Sequence, residues 1–314
     1  MNQASPTHVT PIAPARDIRL PDFMIAGAQK SGTTSLHNYL ESHSQVYFPE
    51  QPQELHYFDI DENFNKGLAY YESFFREAQP EQTAIGQTSP LYIYEPQAPA
   101  RIAQLLPQVK LIFILRNPVE RAYSHYWHSV KKGYETVSFE KALELESNRL
   151  RQGASQRRNY SYVDRGYYSR QLERFLKLFS RDQILVLLTE ELSRETAATL
   201  DRCCDFLNID RQGAEIVNGL NEKRWNTSGI PRFPAIQRLT APWRFKSALV
   251  DKIIWRIDRL NLKQVRYSAM DSATREKLET IFAPEYERLA ALFNLDLAAW
   301  SKPTASKNQV KDSS

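Results

Sequence analysis

The residues Phe23 to Leu36 read FMIAGAQKSGTTSL. An apolar run, Phe23-Met24-Ile25-Ala26, stops at Gly27, small and polar residues follow, and a helical pattern opens at Gly32, with Leu36 and Leu40 one turn apart. A short apolar run stopped by glycine predicts a buried strand, and a helix straight after it must pack back onto a sheet. A second unit repeats the logic. Val109 to Leu115 (VKLIFIL) is apolar on both faces, as in the middle of a parallel sheet. Asn117, Pro118 and Glu120 then form a helix start, with a capping side chain, a proline at the first helical position and an acid two residues later. Strands alternating with helices predict an α/β fold of three layers, a central parallel sheet flanked by helices.

The rest of the chain supports that reading. Thr83 to Gly86 and Gln183 to Leu188 are further strand candidates, and Leu192 to Leu207 and Ser272 to Phe293 are helical. Residues 1–20 are polar without a signal-like apolar core and predict a disordered leader; 21–300 form one folded domain, and 301–314 a polar tail. The 41 basic and 37 acidic residues leave a net charge of +4, too small an excess to imply nucleic-acid binding. The only cysteines, Cys203 and Cys204, are adjacent, which excludes a disulfide framework and a cysteine-pair zinc site. No apolar run approaches the roughly 20 residues of a membrane span. A cytoplasmic protein is the expectation.

The loop after the first strand is chemically specific. Successive backbone N–H groups and a helix N-terminus attract a phosphate-like anion. Gly27 and Gly32 permit close approach, and the hydroxyls of Ser31, Thr33, Thr34 and Ser35 add donors. The nucleotide-triphosphatase loop places lysine directly after its second glycine. Here Thr33 stands there, and the lysine is Lys30, inside the loop. A kinase needs an acid at a strand end to hold magnesium. The central strand ends instead in Arg116, at the sheet edge where ligands bind. Ser124, two helical turns on, is close enough to share an anion with Arg116, and a guanidinium with a hydroxyl suits a phosphate monoester. The plain alternatives are a glycine-rich turn with a surface lysine, and a strand-end arginine paired to a neighbouring acid.

Together these segments resemble the sulfotransferase family that uses 3′-phosphoadenosine-5′-phosphosulfate (PAPS). GAQKSGTTSL resembles its 5′-phosphosulfate loop and RNPVERAYSHY its 3′-phosphate motif, in the same order. QELHYFD (53–59), TSPLY (88–92) and SYVDRGYYSRQLERF (161–175) resemble the heparan-sulfate-type and bacterial branch. The resemblance runs from about Pro21 to Trp300 and implies a P-loop-like fold, PAPS as donor, 3′,5′-ADP (PAP) as product, and no metal. It implies that Lys30 and the residues Ser31, Gly32, Thr33, Thr34 and Ser35 hold the 5′-phosphosulfate, and that Arg116 and Ser124 hold the 3′-phosphate. Glu54 matches the general base, with His56 and Asp59 in the same acceptor cleft. The loop from Lys223 and Arg224 to Gly229 resembles the cofactor-covering loop. One departure stands out: the family's Glu-Lys-Ser/Thr-Pro block reads Gln87-Thr88-Ser89-Pro90, and Thr88 cannot supply the lysine's charge.

Several readings stay open at this level. His56 competes with Glu54 as base, since imidazole suits neutral pH better. His125 and His128 are assigned packing or surface roles. Tyr57, Phe58, Tyr92 and Tyr94 either line the acceptor cleft or pack in the core. From Lys223 to Arg266 there are eleven cations and two acids. Within it, 246–263 predicts a basic amphipathic helix whose aliphatic stripe, Leu249, Ile253, Ile257 and Leu260, either packs on the main domain or rests on an anionic membrane or acidic acceptor. The expected acceptor is a glycan or small molecule with a hydroxyl or amine. The competing functions are a P-loop small-molecule kinase and a non-catalytic binder of PAPS or polyanions. Acceptor identity and oligomeric state are not legible.

Overall fold

The computed structural model describes residues 19–50, 54–219, 230–231, 233, 236, 239–240, 248–263 and 267–300. The leader up to residue 18, the tail from 301, and the loop residues Lys223 and Arg224 lie outside the described residues.

Five parallel strands make the main sheet: β1 (Phe23–Gly27), β2 (Val46–Tyr47), β3 (Ala84–Thr88), β4 (Lys110–Leu115) and β5 (Ile184–Leu188), in the order β2-β3-β1-β4-β5. The helices are α1 (Thr33–Glu41), α2 (Asp61–Phe64), α3 (Leu68–Glu72), α4 (Ala98–Leu105), α5 (Pro118–Lys131), α6 (Phe139–Leu150), α7 (Ala154–Tyr160), α8 (Tyr168–Leu176), α9 (Thr189–Arg194), α10 (Thr196–Leu207), α11 (Gly213–Gly219), α12 (Ala248–Asn261) and α13 (Ser272–Phe293). A short antiparallel pair, β6 (Ile230–Pro231) with β7 (Leu262–Lys263), stands apart from the main sheet.

The apolar runs explain the three layers. Alternate residues of a strand point to opposite faces. Phe23 and Ile25 of β1 and Ile112 and Ile114 of β4 face one side, where they pack with Leu36 and Leu40 of α1 and Leu200, Cys203 and Leu207 of α10. Met24 and Ala26, with Leu111, Phe113 and Leu115, face the other side and pack with Ile102 of α4, Leu172 and Phe175 of α8 and Leu289 of α13. Both cysteines are free and buried in the first of these layers.

The expected elements are present with small shifts. The strand expected at Thr83–Gly86 runs on to Thr88. The helix expected over Leu192–Leu207 is two helices, because Glu195 leaves helical geometry at φ −133 and ψ 54. Chain order reverses beside β1, whose neighbours β3 and β4 both come later in sequence. Crevices at such points, outside the carboxyl ends of parallel strands, are where α/β sheets bind ligands.

Candidate active site

The β1–α1 loop is shaped to receive an anion. Ser31 N–H donates to Ala28 O at 3.2 Å, which closes a turn, and Lys30 (φ 72) and Gly32 (φ 95) are both left-handed. Gly32 suits that conformation and Lys30 does not. Among the described residues four non-glycine positions have positive φ; Asn208 and Asn294 end helices, and the other two are Lys30 and His56. The N-terminus of α1 has neither a side-chain cap nor an acid in its first turn. Its first N–H groups lack intrahelical partners and stay available to a ligand. Thr189, directly after β5, ties the loop down: its hydroxyl lies within hydrogen-bond reach of both Ser31 O and Leu115 O and shares its one proton between them.

Cations converge on this loop. The side chain of Lys30 is pushed down to about 8 by lost hydration and then by the charges of Lys131, Arg116 and Lys132, while Glu54 pushes it back up. Arg116 follows β4, and its guanidinium lies 3.7 Å from Glu120. Asn117 caps α5 by accepting from Val119 N–H at 2.9 Å and Glu120 N–H at 3.3 Å, and donates to Trp300 O at 2.9 Å. This cap fixes where α5 starts, hence where Ser124, half-buried, stands in its second turn. His128 is held neutral, well below its usual range, by burial and by Lys30, Lys132 and Lys131.

A second layer of cations supports the loop from below. Arg121 and Arg165 are buried. Arg165 donates to Gln29 Oε1 and, at 2.7 Å, to Arg158 O. Burial and the neighbouring Arg121 lower it to about 10. Among the described residues neither Arg121 nor Arg165 forms an ion pair with a carboxylate. With Gln29 and Gln171 they line a small cavity of about 10 Å³, room for a single water.

Across from the loop lies an acidic cluster. Glu54 pairs with Thr88 in a parallel bridge, which carries it to the carboxyl end of β3. Glu54 Oε2 is 3.3 Å from His56 Nε2, and His56 Nδ1 is 2.9 Å from Asp59 Oδ2. Asp59 is buried and also accepts from Arg158 at 3.2 Å. Burial pulls the imidazole down, but the hydrogen bonds and charges of Asp59 and Glu54 outweigh it and raise His56 to about 9. That shift favours the imidazolium form of His56, which lies between the Glu54 and Asp59 side chains.

A family model described as the sulfotransferase domain matches residues 20–225. The chain belongs to the sulfotransferase family. It is 33% identical over 205 residues to the human bifunctional heparan sulfate N-deacetylase/N-sulfotransferase 2, a match covering 61% of this chain and 22% of that protein. It is 32% identical over 195 residues to human heparan sulfate glucosamine 3-O-sulfotransferase 5, covering 61% of this chain and 54% of that protein. The chain therefore spans about half or less of the curated relatives it matches. Among solved structures, a sulfotransferase from Alicyclobacillus acidocaldarius superposes with a TM-score of 0.66 at 29% identity, covering 91% of this chain and all of that one. The three-layer α/β arrangement is the P-loop-like fold of that family.

The sulfotransferase domain places Lys30, Ser31, Gly32, Thr33, Thr34 and Ser35 in one loop and helix start, with Arg116 charged beside it and Glu54 across it. Thr88 is buried, and its Oγ1 lies 2.9 Å from His37 Nδ1; burial holds His37 neutral, down to about 4. Gln87 is buried in hydrogen bonds with Tyr71 and, at 2.6 Å, with Tyr92. The family's lysine position thus brings no charge to this site. The aromatic candidates settle on the packing side: Tyr57, Phe58, Tyr92 and Tyr94 are all buried, and Tyr57 stacks on Tyr71 at 4.3 Å. Simple apolar burial, with the Tyr92 hydroxyl accepting from Tyr57 N–H at 3.1 Å, explains them without a ligand.

His125 packs at 1% exposure, as expected. His128 is likewise held neutral mainly by burial, and it also feels the charges of Lys30, Lys132 and Lys131. His128, Lys131 and Lys132 lie in the electrostatic field of Lys30, which the sequence reading did not anticipate. Their signal was available in the four- and seven-residue steps from Ser124, which place Ser124, His128 and Lys131 on one stripe of α5. Arg158 and Arg165 carried no such signal, since only tertiary packing brings them to Asp59 and Gln29.

Proposed function

We propose that this domain transfers a sulfuryl group from PAPS to a hydroxyl or amine of a glycan or small-molecule acceptor, with Glu54 as general base. The observation that carries the reading is the placement of the Glu54 carboxylate within the electrostatic field of Lys30, across a loop poor in acids. The donor set suits a nucleotide with anionic groups at two ends. The loop N–H groups, Lys30 and the hydroxyls of Ser31 to Ser35 match one end, and Arg116 with Ser124 the other.

PAPS, when bound, supplies the sulfuryl group and a phosphate leaving group. Lys30 and the loop N–H groups stabilise charge that grows on the leaving side, an electrostatic role that is strongest where water is excluded. Arg116 and Ser124 hold the far end and fix orientation. Glu54 takes the acceptor proton at its carboxylate. His56, already protonated, orients that carboxylate through the 3.3 Å contact and is itself oriented by Asp59.

The non-catalytic alternative draws on Thr88, whose hydroxyl is committed to His37 where the family has a lysine. The test is a paired one. Calorimetry reads binding of 3′,5′-ADP without magnesium, and labelled-sulfate transfer is read with desulfated heparan sulfate and a panel of alcohols, phenols and amines. Binding with transfer supports the proposal. Binding with no transfer to any of them supports the non-catalytic reading. Magnesium-dependent ATP binding in place of 3′,5′-ADP binding would make the domain a kinase.

A further inference from the structure

We propose that the face of α12 carrying Ile253, Ile257 and Leu260, with Phe233 beside it, docks on an anionic lipid surface. Of the two arrangements open for the aliphatic stripe, packing on the main domain is not what Ile253, Ile257 and Leu260 show, and the side chain of Leu249 lies outside the described residues. Ile253, Ile257 and Leu260 are 52%, 36% and 80% exposed, whereas Ile254, on the neighbouring face, is 4% exposed. Asn261 anchors the adjacent segment: its side chain accepts from Phe233 N–H and donates to Phe233 O, each at 3.0 Å. Phe233, 64% exposed, is thereby held beside the end of the helix that carries Leu260. Five of the seven large apolar side chains exposed among the described residues fall between 233 and 260. Scattered exposure of single apolar residues is ordinary, but concentration in one segment marks a contact surface.

Charge selects the partner. The segment from Lys223 to Arg266 has eleven cations and two acids, a net +9, while the whole chain carries +4, so the remaining 270 residues carry −5. Placing a second copy symmetrically on this face would bring two such segments together and is opposed by their repulsion. A polyanionic glycan would meet the cations but leave the aliphatic groups in water. An anionic bilayer surface satisfies both, because the aliphatic side chains enter the acyl boundary while lysines and arginines meet the headgroups. Arg256 is exposed at a position three residues after Ile253 and four before Leu260, on the same stripe, where its long stem can follow the aliphatic groups while its charge stays at the surface.

The test is flotation of the full chain with vesicles of phosphatidylglycerol and phosphatidylcholine in equal parts, against phosphatidylcholine alone. The proposal predicts binding to the anionic vesicles, little to the neutral ones, and weakening by salt. It predicts that Ile257→Asp with Leu260→Asp lowers the partition coefficient about hundredfold or more, from the transfer free energy of two aliphatic side chains. Both positions are exposed, so thermal midpoint and 3′,5′-ADP affinity stay unchanged and serve as folding controls. The proposal is overturned by absence of binding at low salt. It is overturned equally by binding that the double variant leaves intact, which is charge adsorption common to any polyanion, or by a solution dimer that the double variant dissociates. None of these outcomes touches the donor-site reading, which 3′,5′-ADP binding reports separately.

Discussion

Asp59→Asn tests the electrostatics of the acceptor side. Raising a histidine from 6.5 to about 9 corresponds to about 3 kcal/mol of preference for the imidazolium. The Asp59 side chain is fully buried and 2.9 Å away, so it carries the larger share; Glu54, 42% exposed and 3.3 Å away, is screened and carries the smaller. Asp59→Asn removes the buried charge and keeps the shape. The His56 midpoint then falls by about 1 to 2 pH units, because the desolvation that opposes the charge remains. Since the folded value lies above the unfolded one, the stabilisation is fully present below about pH 6.5 and is lost as pH rises through about 9. The wild type should therefore lose thermal stability relative to Asp59→Asn across that window. A titration of the His56 ring carbons by NMR reads the midpoint directly. A wild-type midpoint at or below 6.5 would refute the reasoning and would return His56 to candidacy as the base.

Other expectations follow from the same geometry. Affinity for 3′,5′-ADP should weaken as pH rises through about 8, where Lys30 loses its charge in the free protein; calorimetry showing a flat affinity from about pH 7 to pH 9 would contradict this. Arg116→Ala should cost about 2–3 kcal/mol of 3′,5′-ADP binding and Ser124→Ala about 1 kcal/mol, read in the same titration, because one removes a charged donor and the other a neutral one. Gly27→Ala places a Cβ 2.4 Å from Ile93 Cγ2, and thermal melts should show a loss of about 1–3 kcal/mol together with weaker 3′,5′-ADP binding.

What could be read in advance was what local pattern determines. The strand and loop at 23–32, the capped helix start at Asn117 and the apolar strand ending before Arg116 are short-range signals, and the structure keeps each within a few residues. Lys30, Arg116 and Ser124 could be named as candidates because they sit at fixed steps from those signals. The buried support was not. Arg165 reaches Gln29 across 136 positions and Arg158 reaches Asp59 across 99, and no spacing rule announces such contacts. The raised proton affinity of His56 was also beyond reach, since it comes from the Asp59 and Glu54 side chains that flank the imidazole in space. The split at Glu195 depends on how α9 and α10 pack separately, where propensity alone favours one continuous helix.

The most direct measurement follows labelled sulfate from PAPS to desulfated heparan sulfate and to the panel of small hydroxyl and amine acceptors, comparing wild type with Glu54→Gln while 3′,5′-ADP affinity is recorded for both. A general base contributes about 10²–10⁴-fold to rate. The expected result is transfer by the wild type, a fall of that size in Glu54→Gln, and unchanged 3′,5′-ADP affinity. Transfer by Glu54→Gln at the wild-type rate, or a wild type that binds 3′,5′-ADP and transfers to none of these acceptors, would contradict it.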